Sequence, residues 1–209
     1  GVAPGVPNYL IGYYNNKINI KSFTYYVGGL PLNPEPPFNY KAPFSPIDVI
    51  EEYTRPARMR INSQVVTKPA LSDLEIFNFS EVGKLEAFNT DGLRSLLQTM
   101  GHIPNMKEKT LRYPGHAKLM QSMIDDGLFN NKNFDKTINE LFKDWKLKED
   151  ELEFTILDVN IYSDTKNIHY HLYDETDDIS KSSSMARTTG FTATATINML
   201  LNNLWSKKG

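Results

Sequence analysis

Arg112 closes the run Thr110-Leu111-Arg112-Tyr113-Pro114-Gly115, where an alternating segment gives way to a turn pair. A planar guanidinium at a strand end can hold a carboxylate through two parallel N–H bonds, which a lysine cannot do. The same residue also fits an ordinary surface or ion-paired arginine. Asn89-Thr90-Asp91-Gly92 precedes apolar residues at helical spacing. Thr90 or Asp91 is therefore either a plain N-cap or the head of a helix whose free N–H groups and dipole receive an anionic group. His169 and His171 are two apart, so on a strand their imidazoles share one face. That pair reads as a solvent-facing strand surface, because no third metal ligand stands near it in sequence. Met185-Ala186-Arg187-Thr188-Thr189-Gly190 opens the final segment with small residues, which serve helix–sheet packing or a ligand equally well. The chain has no cysteine, which removes thiolate nucleophiles, disulfides and cysteine metal sites. It also lacks the G-x-G-x-x-G and G-x-x-x-x-G-K-S/T patterns, so no phosphate cradle is encoded.

The elements that must carry these residues follow from periodicity and turn chemistry. Residues 7–15 place Leu10, Ile11, Tyr13 and Tyr14 at helical spacing behind Pro7. Residues 18–27 are β-branched and aromatic, and the strand is expected to stop at Gly28-Gly29. Six prolines between 30 and 46 exclude a central strand or helix interior there. Phe38, Tyr40 and Phe44 argue that this loop packs over something rather than floating in solvent. Ser45-Pro46 starts a helix through Ile47, Val49, Ile50 and Tyr53 that ends before Pro56.

Strands are expected at 58–66, 74–79 and 107–113, and a helix from Thr90 or Asp91 through Met100 to Gly101. Further helices are predicted at 116–125 and after Asn133, the latter with Phe134, Ile138, Leu141, Phe142 and Trp145 on one stripe. Residues 151–163 and 166–175 read as a hairpin turning at Asp164-Thr165, residues 177–184 as a polar connection, and residues 185–205 as a last helix. The predicted class is α+β: a mixed, largely antiparallel sheet with helices on one face.

Composition narrows the partners. Among 209 residues, 23 Lys+Arg balance 25 Asp+Glu without a basic block, which speaks against nucleic acid. No apolar run reaches the length of a membrane span, and no signal peptide opens the chain. Lack of cysteine is compatible with a cytoplasmic protein. The opening Gly1-Val2-Ala3-Pro4-Gly5, without an initiator Met, reads as a start inside a longer protein.

Several long segments go further. GVAPGVPNYLIGYY at 1–14, YYVGGLPLNPEPPFNYKAPFSPIDVI at 25–50, KLEAFNTDGLRSLL at 84–97, KEKTLRYPGH at 107–116 and SMARTTG at 184–190 come in the order found in one family. They resemble the C-terminal two-thirds of saccharopine dehydrogenases and, more closely still, lysine 6-dehydrogenases. The resemblance implies an N-terminal Rossmann domain binding NAD or NADP, absent from this stretch. It implies that residues 1–15 lead out of that domain and that 16–184 form the substrate-binding and dimerisation domain. Residues 185–209 would form a helix returning toward the first domain. The second domain would share the fold of the saccharopine dehydrogenase C-terminal or glyceraldehyde-3-phosphate dehydrogenase-like catalytic domain, bind a small amino acid and form a homodimer.

Carried over by residue, Thr110, Leu111 and Arg112 match the family's substrate-contacting T-L-R, and Ser45 matches a serine that touches the nicotinamide cofactor. Saccharopine reductases have N-R-D where this chain has Asn89-Thr90-Asp91. Thr90 cannot supply that arginine's charge, which favours a substrate with fewer carboxylates than saccharopine, such as lysine. The implied chemistry is NAD(P)-dependent oxidation of a CH–NH bond, with Arg112 on the α-carboxylate and Lys41, Asp91, Tyr113 and His116 as acid/base candidates. The competing readings are an isolated dimerisation module with no chemistry of its own, and an unrelated small-molecule binding domain of the same fold.

Overall fold

The computed structural model describes residues 1–42, 44–148 and 151–204. Six helices and eight strands follow one another as α1 (Val6–Asn15), β1 (Ile20–Pro31), α2 (Pro46–Thr54), β2 (Ala57–Ile61), β3 (Gln64–Lys68), β4 (Glu75–Phe79), β5 (Gly83–Asn89), α3 (Leu96–Thr99), β6 (Asn105–Arg112), α4 (His116–Asp125), α5 (Phe134–Trp145), β7 (Glu153–Ser163), β8 (Asn167–Glu175) and α6 (Ser184–Leu201). All strands belong to one sheet, with the path β3-β2-β6-β1-β7-β8. Among the described strands only the β1–β6 pair is parallel, and the remaining strand pairs are antiparallel. β6 is the hub. It runs beside β1 over Asn105–Thr110, while its other edge meets β2 at Met106 and β5 over Lys109–Arg112.

The fold is the expected α+β class with a mostly antiparallel sheet. Strand alternation along β1 and β7 divides the core. Leu30, Phe154 and Ile156 join one cluster with residues of α2, α4 and α5, including Val49, Met120, Leu141 and Trp145. Phe23, Tyr25, Leu157, Val159 and Ile161 join a second cluster with Ile11 of α1 and Leu96 and Leu97 of α3. The helical layer expected on one face is thus α2, α4 and α5, and the other set of sheet residues is covered by helix as well.

Three expected elements changed their bounds, and one strand, β5, was not expected. β1 does not stop at the glycine pair but continues to Pro31, paired with β7 throughout. Gly28 is a packing residue there: a Cβ would lie 3.0 Å from Leu111 Cβ. The single strand expected at 58–66 is the β2–β3 hairpin, turned by Asn62 and Ser63 at φ 48° and 67°. β5 was read only as motif, because its charges hid the alternation. The helix expected from Thr90 or Asp91 shrinks to the four residues of α3, since Arg94 takes φ 48° and breaks the path. Residue 205, the expected end of the last helix, lies outside the described residues, as does Pro43 of the proline-rich loop. No described helix is long and apolar enough to cross a membrane.

Candidate functional site

A cavity of about 280 Å³ opens at the end of the sheet where β1, β6 and the segment after β5 converge. β6 supplies its wall by parity. Glu108, Thr110 and Arg112 line the cavity, whereas Lys109 and Leu111 point the other way. Lys109 bonds Glu75 and the Asp73 carbonyl, and Leu111 enters the core. Thr90, Asp91, Gly92, Arg94, Glu52 and Arg55 complete the polar lining, with Tyr25, Val27, Phe44 and Met185 on the apolar side.

Arg112 is only 3% exposed, yet it has no carboxylate in hydrogen-bond contact; the nearest, Glu52, stands 4.0 Å from Nη2. Its Nε donates to the Tyr53 hydroxyl at 2.8 Å and its Nη1 to the Leu111 carbonyl at 2.8 Å. The guanidinium also lies over the Tyr40 ring, 4.4 Å from the centroid. Burial alone would lower its pKa, but Tyr53, Tyr40 and Glu52 outweigh that and raise it, so the charge persists. A guanidinium has five N–H donors and no acceptor, so several here remain for a ligand.

His116 sits behind Arg112 rather than on the cavity. Its Nδ1 lies 2.9 Å from the Phe38 carbonyl, so this nitrogen must carry the proton. Nε2 is then an acceptor for the Tyr53 hydroxyl at 3.0 Å. The result is one ordered relay from Arg112 Nε through Tyr53 to His116 and Phe38. Burial and the neighbouring Arg112 push the imidazole down to about 3, so it stays neutral.

Glu108 is a buried carboxyl. Thr90 Oγ1 lies 2.9 and 2.8 Å from its two oxygens, and the Gly92 N–H donates to Oε2 at 2.9 Å. Thr90 also bonds Thr110 at 2.8 Å. Gly92 must be bare, because a Cβ would lie 2.4 Å from Glu108 Cδ. Burial pushes the Glu108 carboxyl up to about 8, against the opposing hydrogen bond from Thr90. The Gly92 N–H, in the segment where an anion site was one of the two expectations, is thus taken by this internal carboxyl.

Of the residues singled out in the sequence, Thr90, Asp91, Thr110 and Arg112 come together around the cavity. Asp91 is committed to Arg58, accepting from its backbone N, Nε and Nη2 at 3.1, 3.0 and 2.8 Å. Burial raises its pKa, but the Arg58 bonds win and the net direction is down, which disfavours proton exchange at neutral pH. Lys41, Ser45, Leu111, Tyr113 and His116 are not among the lining residues. Lys41 donates to the Asp144 carbonyl and lies 3.6 Å from Glu151. Tyr113 donates to the Pro31 carbonyl at 2.9 Å, and Ser45 is the exposed N-cap of α2. Sequence reasoning missed Glu108, Glu52 and Tyr53. The alternation in Lys107–Tyr113 already held the signal for Glu108, since it puts 108 on the face of 110 and 112. His169 and His171 share Asp158, at 2.7 and 3.3 Å from its Oδ2, and His171 also meets Glu81. Among the described residues no group of three or more such side chains is arranged to hold a metal.

The cavity of about 280 Å³ thus gathers a buried guanidinium, with Glu52 4.0 Å from it, and a set of convergent polar groups, as small-molecule pockets do. The family model described as "Saccharopine dehydrogenase C-terminal domain" matches residues 1–209, and the chain belongs to that family. The mitochondrial alpha-aminoadipic semialdehyde synthase of Rattus norvegicus is 26% identical over 123 residues, and that of Mus musculus 25%. These matches cover 55% of this chain and 13% of each relative. The apo structure of saccharopine dehydrogenase (L-Glu forming) from Saccharomyces cerevisiae aligns with TM-score 0.70 at 15% identity, over 95% of this chain and 62% of that one. At that identity the likeness speaks for the fold alone.

Proposed function

We propose that this chain is the substrate-binding part of an NAD(P)-dependent amino-acid dehydrogenase acting on a CH–NH bond, with lysine or saccharopine as substrate. The observation that carries the reading is the Arg112 guanidinium: buried, oriented by Tyr53 and Tyr40, and lacking a bonded carboxylate. Glu52, at 4.0 Å, balances charge without bonding, and a substrate carboxylate can take the free N–H donors directly. The Thr90 and Thr110 hydroxyls stand beside it as orienting contacts. Family membership supports the reaction class.

The described residues do not fit a dinucleotide. The cavity of about 280 Å³ suits a small ligand, and no glycine-rich turn opens a helix along its wall. NAD or NADP would then bind a nucleotide-binding domain elsewhere in the full-length protein and supply the hydride acceptor. The reading assigns to Phe191, Ile197, Leu200 and Leu201, all exposed on α6, the contact with that domain. A homodimer and a cytoplasmic location belong to the same reading.

The test is steady-state kinetics of the full-length protein on L-lysine and saccharopine with either cofactor. Arg112→Lys loses bidentate bonding to a charged group, worth about 1.5–3 kcal/mol, so KM for the preferred substrate rises roughly ten- to a hundredfold. An unchanged KM would remove Arg112 from the role and the reading with it.

A further inference from the structure

We propose that Glu108 receives the amino group of the ligand: its carboxylate pairs with a distal ammonium and takes a proton from it. This rests on the reading of Arg112 as the carboxylate site. Glu108, Thr110 and Arg112 lie at alternate positions of β6 and all line the same cavity. Two strand residues advance about 6.6 Å, so the Cα atoms of Glu108 and Arg112 stand about 13 Å apart along the strand. Along β6 the cavity wall thus runs from the Arg112 cation, with Glu52 4.0 Å from it, to the Glu108 carboxyl, with the Thr110 and Thr90 hydroxyls between. That separation suits a molecule whose acidic and amino groups are several bonds apart, as the carboxylate and ε-amine of L-lysine are. The adjacent pair of an α-amino acid does not span it.

Among the described residues no Lys or Arg makes an ion pair with Glu108: of the cavity's charged groups Arg55 pairs with Asp91, Glu52 stands 4.0 Å from Arg112, Arg94 makes no ion pair, and the Glu52 and Asp91 carboxylates act on Glu108 by like charge. A buried carboxylate without a cation is costly, and an arriving ammonium supplies the missing charge. The local bonds are ordered for an acceptor. The Gly92 N–H fixes one oxygen, and the Thr110 and Thr90 hydroxyls can align in series toward the carboxylate. On transfer, an N–H bond of the ammonium breaks as an O–H bond forms on Glu108. A neutral amine remains hydrogen-bonded to a carboxylic acid, with no change in net charge. The free carboxyl, raised to about 8 by burial, is matched to an exchange of this kind near neutral pH.

The experiment is calorimetric titration of the full-length protein with L-lysine and with L-norleucine, which lacks only the ε-amine. Glu108→Gln keeps the contacts to Thr90 and Gly92 but cannot ionise. It weakens L-lysine at least tenfold and leaves L-norleucine within twofold. Gly92→Ala, which drives the carboxyl aside, repeats the selective loss. Wild-type affinity for L-lysine rises between pH 6.5 and 8.5 as the free carboxyl ionises, and the profile of Glu108→Gln is flat. Arg112→Lys weakens both ligands. An equal effect of Glu108→Gln on both ligands, or none, overturns the assignment while a loss with Arg112→Lys leaves the carboxylate site standing. If the wild type binds neither ligand, both fall.

Discussion

Tyr53→Phe removes a single oxygen from the middle of a buried relay. That hydroxyl accepts from Arg112 Nε at 2.8 Å and donates to His116 Nε2 at 3.0 Å, and all three residues are buried. The ring remains, so its packing against Phe88 and His116 is kept and no cavity of side-chain size opens. The loss is therefore polar. A hydrogen bond to a charged group contributes about 1.5–3 kcal/mol, and a buried neutral one about 1 kcal/mol. The variant should lose about 3 kcal/mol. For a domain of this size each kcal/mol moves the midpoint by about 2–4 °C, so Tm should fall by about 6–12 °C in calorimetry at pH 7. Tyr40→Phe is the control. Its hydroxyl sits 3.5 Å from Arg112 Nη2, a distance at which little bonding is left, and the stacking under the guanidinium survives. It should cost under about 1 kcal/mol. If Tyr53→Phe shifts Tm by less than about 1 °C, or no more than Tyr40→Phe, the relay is not what holds Arg112.

Glu108 predicts a pH dependence with a definite sign. Its native carboxyl is raised to about 8 from an ordinary 4.5, so between those values the native state holds a proton that the unfolded state has released. Its stabilisation is complete below about pH 4.5 and is lost as pH rises through about 8. Urea unfolding should thus show a falling contribution from pH 5 to 8 that Glu108→Gln abolishes; a rising one would contradict the burial argument. Asp91, lowered by its Arg58 bonds, stays ionised across this window, and His116, held down to about 3, adds a rise up to about pH 6.5 that cancels in the difference between wild type and Glu108→Gln. Gly28→Ala places a methyl 3.0 Å from both the Cβ and the carbonyl oxygen of Leu111 and should destabilise by about 1–3 kcal/mol in urea titration. Gly190→Ala on α6, where nothing lies within 4 Å, should be neutral or slightly stabilising.

What could be read from the sequence was whatever a short window decides. α4 and α5, the β7–β8 hairpin and β6 carry clean periods or turn pairs, and all four stand where they were expected. Arg112 stands out as a guanidinium at a strand end, whereas Thr110 comes only with the family motif, which also names Leu111 on the opposite face; the alternation itself points to 108, 110 and 112. The failures were decided by distant contacts. Gly28 reads locally as a breaker, yet it is the residue that lets β1 approach Leu111. Leu93, Leu96, Leu97 and Met100 carry a helical spacing, but the left-handed Arg94 leaves only one turn of it. His116 looked like an acid or base because histidines often are. Only the fold shows both ring nitrogens already engaged with Tyr53 and Phe38.

β6 places its cavity residues by odd and even position alone, with no loop to absorb an error. A one-residue slip of this strand against β1 would present Lys109 and Leu111 to the ligand and turn Glu108, Thr110 and Arg112 toward the opposite face. A length change within Asn105–Arg112 is therefore all-or-none for binding. Specificity at this wall can change only by substitution at 108, 110 and 112, one side chain at a time.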